Sequence, residues 1–275
     1  MHRRGEHQVS VAFFLRCQSG EDPAAHAKIR RTHMRTFCSA FEAKRETAKI
    51  VGGHRRQYFT VLRYPEAVTR AVETELPLLS KTPLSWGKSV LADPVALLID
   101  HAFLEKKAAN NAMDLMTRWP DDWLPGWVET MTSVARDEAA HLAQVTRLLI
   151  RRGGRLERTH KNPYANELRK LVRLGTPGDL PDRLFVSALI ELRSCERFAV
   201  LAAAAEDEEL AAFYKALYSS ELGHYKVFLR LAYKLGSKEL IDARWQQMLE
   251  SEARILAEQA PGPRIHSGSH ELIFQ

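Results

Sequence analysis

Two short stretches of this 275-residue chain carry side chains that ligate metals, Glu138-Ala-Ala-His141 and Glu221-Leu-Gly-His224. Residues three apart lie one above the other on a helix, so a carboxylate and an imidazole at this spacing can share one ion. A single Glu-x-x-His is weak evidence, because surface pairs of this kind arise by chance. Here each copy interrupts an apolar seam with alternating steps of four and three, the spacing that keeps one helix face toward a bundle axis. One seam runs Trp127, Met131, Val134, Glu138, His141, Val145, Leu148, and another runs Leu210, Tyr214, Leu217, Glu221, His224, Phe228, Leu231. A third, Leu91, Val95, Leu98, Ala102, Glu105, Ala109, Ala112, Met116, places a lone glutamate where the pattern demands a hydrophobe. A buried carboxylate without a partner costs several kcal/mol or stays protonated. Five such residues on three helices call for positive charge at the centre.

The spacing indicates what that charge is. A glutamate from each of two helices plus Glu-x-x-His from each of two others is the donor set of di-iron carboxylate bundles. Glu105 supplies one lone glutamate, and the stretch Leu189-Ile-Glu-Leu-Arg-Ser-Cys-Glu-Arg-Phe198 must supply the other, as Glu191 or Glu196. Glu191 lies on the seam Leu184, Ala188, Glu191, Cys195, Phe198, and precedes Glu221 by nearly the interval that separates Glu105 from Glu138. An apparent internal repeat between residues 98–105 and 189–196 favours Glu196 instead. Glu191 is the preferred ligand; Glu196, with Arg193 and Arg197, is assigned to supporting or structural contacts. His101 falls one position off its seam and reads as a polar neighbour of the site, and Cys195 as a small packing residue beside it. Zinc proteolysis is excluded, because His-Glu-x-x-His requires a histidine where Asp137 stands. Mixed carboxylate and imidazole donors suit iron or manganese better than calcium or structural zinc. A reduced iron pair has open positions for dioxygen and supports attack on an unactivated C–H bond, chemistry that no amino-acid side chain supplies.

The elements that must hold these residues follow from the punctuation. Four long helical segments begin near Leu91, separated by Trp119-Pro120-Asp121-Asp122 with Pro125-Gly126, by a stretch from Gly153-Gly154 to Pro163, by Gly175-Thr176-Pro177-Gly178, and by a short acidic turn at 206–209. Proline cannot donate to the helical ladder and glycine accepts left-handed caps, so these runs end helices. A fifth helix is expected over 238–259, before Pro261-Gly262-Pro263. Nothing from residue 91 onward alternates like a half-buried strand. The expected architecture is all-α: a four-helix bundle over residues 81–260 with an additional C-terminal helix, an N-terminal extension of unknown role over 1–80, and an irregular tail over 261–275. Within the extension, helical pieces are plausible around 24–48 and a strand or buried turn around 57–62. The composition, 45% hydrophobic and 27% charged, is that of an ordinary globular protein. No apolar run approaches the roughly 18 residues that span a bilayer, and three cysteines without CxxC spacing suit a reducing compartment. A cytoplasmic protein is expected.

These stretches resemble the tRNA 2-methylthio-N6-isopentenyladenosine hydroxylase family. The similarity runs through Leu97-Leu-Ile-Asp-His-Ala-Phe-Leu-Glu-Lys-Lys-Ala-Ala109, Ala135-Arg-Asp-Glu-Ala-Ala-His-Leu-Ala-Gln-Val145, Ala188-Leu-Ile-Glu-Leu-Arg-Ser-Cys-Glu-Arg-Phe198 and Phe213-Tyr-Lys-Ala-Leu-Tyr-Ser-Ser-Glu-Leu-Gly-His-Tyr225. It covers about residues 79–260, and Arg-Ser-Cys-Glu-Arg-Phe is more particular to the family than the metal motifs. The resemblance implies a ferritin-like non-haem di-iron monooxygenase that hydroxylates the isopentenyl side chain of a hypermodified adenosine beside the tRNA anticodon. It implies two iron ions held by Glu105, Glu138, His141, Glu191, Glu221 and His224, dioxygen as co-substrate, and electrons from an external redox partner.

A local concentration of charge acquires meaning beside that implication. The net charge is +6, and residues 151–173 carry Arg151, Arg152, Arg155, Arg158, Lys161, Arg169, Lys170 and Arg173 against only Glu157 and Glu167. Such a stretch attracts phosphate or is simply a solvated linker. Arg151, Arg152, Arg155 and Arg158 are the expected contacts to the anticodon stem-loop. The rival expectations are a rubrerythrin-like peroxidase or ferroxidase, which often adds a cysteine-rich rubredoxin site not seen here, and an iron-storing or RNA-binding helical module without hydroxylase activity.

Overall fold

The computed structural model describes residues 76–120, 124–269 and 271–274. The elements expected around 24–48 and 57–62, together with Cys17 and Cys38, lie outside the described residues. Along the described chain run β1 (Ser80–Lys81), α1 (Leu84–Leu91), α2 (Pro94–Met116), α3 (Trp127–Arg151), α4 (Pro163–Arg169), α5 (Asp179–Ala204), α6 (Glu208–Ala232), α7 (Lys238–Ala257) and β2 (Ile273–Phe274). Short polar side chains start several of the helices by taking up orphan backbone donors. Asp93 accepts from Ala96 N at 3.0 Å, Asn162 from Ala165 N at 3.1 Å and Asp207 from Leu210 N at 3.0 Å, with Pro94 and Pro163 at the first helical positions. α3 ends where Gly153 turns left-handed (φ 75°) and the amides of Gly153 and Gly154 return to the carbonyls of Ile150 and Leu149.

α2 packs along α3 and α5 along α6, and the two hairpins close on each other into a ferritin-like four-helix bundle. α1 rests on α5, while α4 and α7 pack on each other and on α5. The short helices α1 and α4 were not separately anticipated, although Asn162-Pro163 is a legible start signal. Every residue of the seams on α3 and α6 is buried, as are Leu184, Ala188, Glu191, Cys195 and Phe198 on α5. The apolar core is divided in two. One cluster contains Ala112, Leu115, Met131, Val134, Ala188, Leu189, Phe228 and Leu231; the other contains Leu98, Ala102, Val145, Leu148, Phe198, Leu201, Tyr214 and Leu217. Each of the four long helices passes from one cluster to the other through its glutamate.

The Arg-Ser-Cys-Glu-Arg-Phe run on α5 ties the outer elements to this bundle. Arg193, fully buried, makes two bonds to Glu252 of α7 at 2.8 and 2.9 Å, two to Ser80 at 3.0 and 3.1 Å, and one to Glu196 at 3.1 Å. Five donors and five acceptor contacts leave no guanidinium N–H unmet. Tyr164 of α4 donates to the same Glu252 at 2.9 Å. Arg197 lies 3.9 Å over the Trp86 ring and donates to Ser267 O at 3.0 Å, while Ser194 meets His266 at 3.2 Å. Residues 265–267 are therefore buried although they belong to no helix or strand. Ile265 N donates to Asp100 of α2 at 2.9 Å, and β2 pairs antiparallel with β1, Ser80 opposite Phe274. A second buried junction is Asp182, gripped by Arg173 at 2.7 and 2.9 Å and by Arg244 at 2.9 and 3.1 Å.

Two predictions follow from these junctions. Truncating one member of a fully buried ion pair leaves the other charge unmatched, so Glu252→Ala should lower the unfolding free energy in urea by about 3–5 kcal/mol. The Asp182 carboxyl is held below the usual carboxylate range, where the hydrogen bonds from Arg173 and Arg244 outweigh its burial. A lowered folded pKa gives stability that is present above the unfolded value near about 3.9 and lost as pH falls below it. The stability gap between wild type and Asp182→Asn should accordingly be widest near neutrality and close on acidification below about pH 4.

Candidate metal centre

Six side chains meet in the layer between the two apolar clusters. Glu105 comes from α2, Glu138 and His141 from α3, Glu191 from α5, and Glu221 and His224 from α6. They fall into two interlocked groups, each with donor atoms within 4.8 Å of one another: Glu105, Glu138, His141 and Glu221, and Glu138, Glu191, Glu221 and His224. Glu138 and Glu221 belong to both. His141 Nδ1 lies 3.5 Å from Glu105, 3.5 Å from Glu138 and 3.1 Å from Glu221. His224 Nδ1 mirrors it, 2.6 Å from Glu138 and 3.3 Å from Glu221. The i, i+3 spacing on α3 and α6 creates this symmetry, because it sets each imidazole one turn from its own carboxylate and facing the other helix's.

Of the two candidates on α5, Glu191 joins the cluster. Glu196 points the other way, accepting from Thr82 Oγ1 at 2.7 Å and from Arg193. His101 is fully buried and its Nε2 lies 2.6 Å from Glu105 Oε1. Burial lowers its pKa to about 4, which keeps the ring neutral beside that carboxyl group. Its ring stacks on Tyr214 with centroids 5.7 Å apart and tilts against Phe198 at 5.0 Å. Cys195 is buried beside the cluster, its thiol directed at Tyr218 O at 3.7 Å, and burial pushes its pKa up, away from thiolate chemistry.

Electrostatics show how ill-suited this arrangement is to standing alone. Burial, reinforced by the charge of Glu221, raises Glu138 to about 7; burial also raises Glu105, and raises Glu191 well above the carboxylate range. Burial opposes charge on the imidazoles, yet the surrounding carboxylates outweigh it, lifting His141 to about 12 and His224 to about 10. Glu221 is held low, because its contacts to His141 and His224 overcome its burial. Both oxygens of Glu138, Glu221 Oε1 and His141 Nδ1 are nevertheless buried without a well-formed hydrogen bond. Orphaned buried acceptors crowded around one point are what a cation would satisfy. Four carboxylates and two neutral imidazoles balance two divalent ions in charge and supply oxygen and nitrogen donors in the proportion of a di-iron site.

Comparison with known proteins places the chain. The family model described as tRNA-(MS[2]IO[6]A)-hydroxylase (MiaE) matches residues 71–267. The chain belongs to this family. It is 40% identical over 194 residues to the Pseudomonas putida protein named tRNA 2-(methylsulfanyl)-N(6)-isopentenyladenosine(37) hydroxylase, an alignment covering 68% of this chain and 90% of that one. It is 34% identical over 169 residues to the Salmonella typhimurium protein of the same name, covering 62% of this chain and 61% of the relative's length. Among solved structures it is similar to "Protein 43 with aldehyde deformylating oxygenase activity from Synechococcus", with a TM-score of 0.65 and 34% identity over 70% of this chain and 96% of that one.

The four arginines expected to meet RNA divide into two kinds. Arg151 pairs with Glu209, and Arg152 binds Glu209 at 2.8 Å and Asp207 at 2.7 Å, so both are engaged at the start of α6. Arg155 and Arg158 are exposed and form no ion pair among the described residues. Sequence reasoning missed the contribution of the connector and tail to the centre's surroundings. Asp100 takes His160 Nε2 at 2.7 Å and Ile265 N at 2.9 Å, fixing the turn of α2 that carries His101. A buried aspartate next to His101 was the one available signal, and its partners lie 60 and 165 residues away.

Proposed function

We propose that this chain is a non-haem di-iron monooxygenase that hydroxylates the isopentenyl group of 2-methylthio-N6-isopentenyladenosine beside the tRNA anticodon, in the cytoplasm. The observation that carries the reading is the pair of interlocked donor groups sharing Glu138 and Glu221, in a chain of the hydroxylase family. Glu105 and His141 would complete one iron site, Glu191 and His224 the other, with Glu138 and Glu221 common to both. Bound there, the iron pair supplies the activation of dioxygen that side chains cannot provide. One oxygen atom enters the product and the other leaves as water, so each turnover takes two electrons and two protons, the electrons from a separate redox partner.

The chain's own residues supply the surroundings. His101 Nε2 shares a hydrogen bond with Glu105 Oε1 and fixes the orientation of that side chain. The apolar layers on either side exclude water and keep an oxidising centre away from side reactions. Among the described residues no helix is long and apolar enough to cross a membrane, which accords with a nucleic-acid substrate met in the aqueous phase.

Metal analysis tests the ligand roles. Glu138→Ala and Glu221→Ala, each removing a shared carboxylate, should reduce bound iron from about two to well below one per chain. Glu105→Ala and Glu191→Ala should each leave about one, and Glu196→Ala about two. The activity is tested by incubating the iron-loaded protein with reductant, isotopically labelled dioxygen and tRNA bearing the prenylated base. Nucleoside mass spectrometry should then find one labelled oxygen on the isopentenyl group. Iron oxidation or peroxide consumption without labelled nucleoside would instead select a ferroxidase or peroxidase.

A further inference from the structure

A cleft of about 280 Å³ opens at the α2 side of the bundle, lined by Lys107, Asn110, Asn111 and Arg118 along and just beyond α2, Arg169 at the end of α4, and Arg183 of α5. Four cations thus converge on one concavity. The opposing carboxylates are Asp114 in its wall and Asp179, which Arg183 binds. Arg118 and Arg169 are exposed and make no ion pair among the described residues. Lys107 is half-buried, and burial together with the neighbouring charges of Arg169 and Lys106 lowers its pKa. A cation at the end of a helix is ordinary, being favoured by the helix dipole. That explains Arg118 and Arg169 one at a time, but not why they share a concavity with Lys107 and Arg183 against their mutual repulsion. The lining includes two amides and no aromatic ring, so it offers donors and charge for an anion and no platform on which a base would stack.

We propose that this cleft is a second binding site, distinct from the carboxylate cluster, that holds backbone phosphates of the RNA whose modified base reaches the cluster; it rests on the function proposed above. Its position suits that role. Lys107 lies two residues beyond Glu105, and Arg118 is a further eleven, roughly 16 Å along the axis at the helical rise. The cleft therefore starts level with the centre and runs toward one end of the bundle. Asn111 donates to Ser187 Oγ at 2.9 Å, which fixes that amide in the wall. Lys107 Nζ donates to His160 Nδ1 at 2.9 Å, so the exposed Arg155 and Arg158 sit on the connector that leads to the cleft.

The test compares binding of an anticodon stem-loop RNA carrying the prenylated base, by fluorescence anisotropy across a range of salt, with hydroxylation of that RNA by the wild-type holoenzyme. The double variant Arg118→Glu/Arg169→Glu should lose at least about tenfold in affinity at low salt, and its log–log salt slope should flatten by about one to two. Its bound iron should match wild type, showing that the bundle is intact. Arg230→Glu, on the exposed face of α6, should shift affinity by no more than about twofold, the size expected from net charge alone. Wild-type affinity in the double variant, or an equal loss in Arg230→Glu, overturns the cleft. Failure of the wild-type holoenzyme to hydroxylate this RNA, with the affinity loss still seen, overturns the activity and leaves the cleft as an RNA-binding site.

Discussion

Four carboxylates share the interior of a helix bundle with the imidazoles of His141 and His224, while a third, His101, lies against Glu105 and is kept neutral by its burial. Nearly everything else about the described structure follows from making that tolerable. Like charges in a medium of low polarisability repel strongly, and the protein alone answers by pushing protons onto some groups and off others: Glu138 rises to about 7 while His141 is driven to about 12. Two divalent cations would remove the conflict, and the pairing of glutamate with histidine on α3 and α6 would divide the donors evenly between them. The divided core is the other half of the arrangement. Apolar layers above and below oblige the polar layer to find its partners within itself.

The supports are graded by distance from the centre. Nearest are His101 and its aromatic neighbours, which hold one carboxylate through a neutral ring. Farther out, α5 carries a run of residues that face in two directions at once. Glu191 and Cys195 look inward, while Arg193, Glu196 and Arg197 bind β1, α7, Trp86 and the chain's end. A helix with a clustered carboxylate on one side and buried ion pairs on the other has little freedom to rotate. Positional precision at the centre therefore depends on contacts that never touch it.

The centre was legible from sequence because its physics is local. The Glu-x-x-His spacing on α3 and α6, and the appearance of glutamate where a seam requires a hydrophobe, are properties of single helices. The choice between Glu191 and Glu196 was also made by a helical seam, and the geometry places Glu191 in the cluster while Glu196 turns to Thr82. What the sequence did not disclose are the contacts made at long range. The partners of Asp100, the docking of residues 265–267 and the pairing of β1 with β2 join segments whose own patterns say nothing of each other. The arginine cluster after α3 shows the same limit: composition made Arg151 and Arg152 equivalent to Arg155 and Arg158, yet the acidic start of α6 engages the first two.

The bond from Ile265 N to Asp100 links the buried stretch 265–268 to the residue just before His101. During synthesis, α2 emerges long before residue 265 exists, so this turn lacks that clamp until residue 265 has been made and has docked. The two hairpins can each form as they are made, but the bond to Asp100 closes only after a segment 165 residues downstream has followed. The turn that carries His101 is thus set last by a contact whose two halves are made far apart in time.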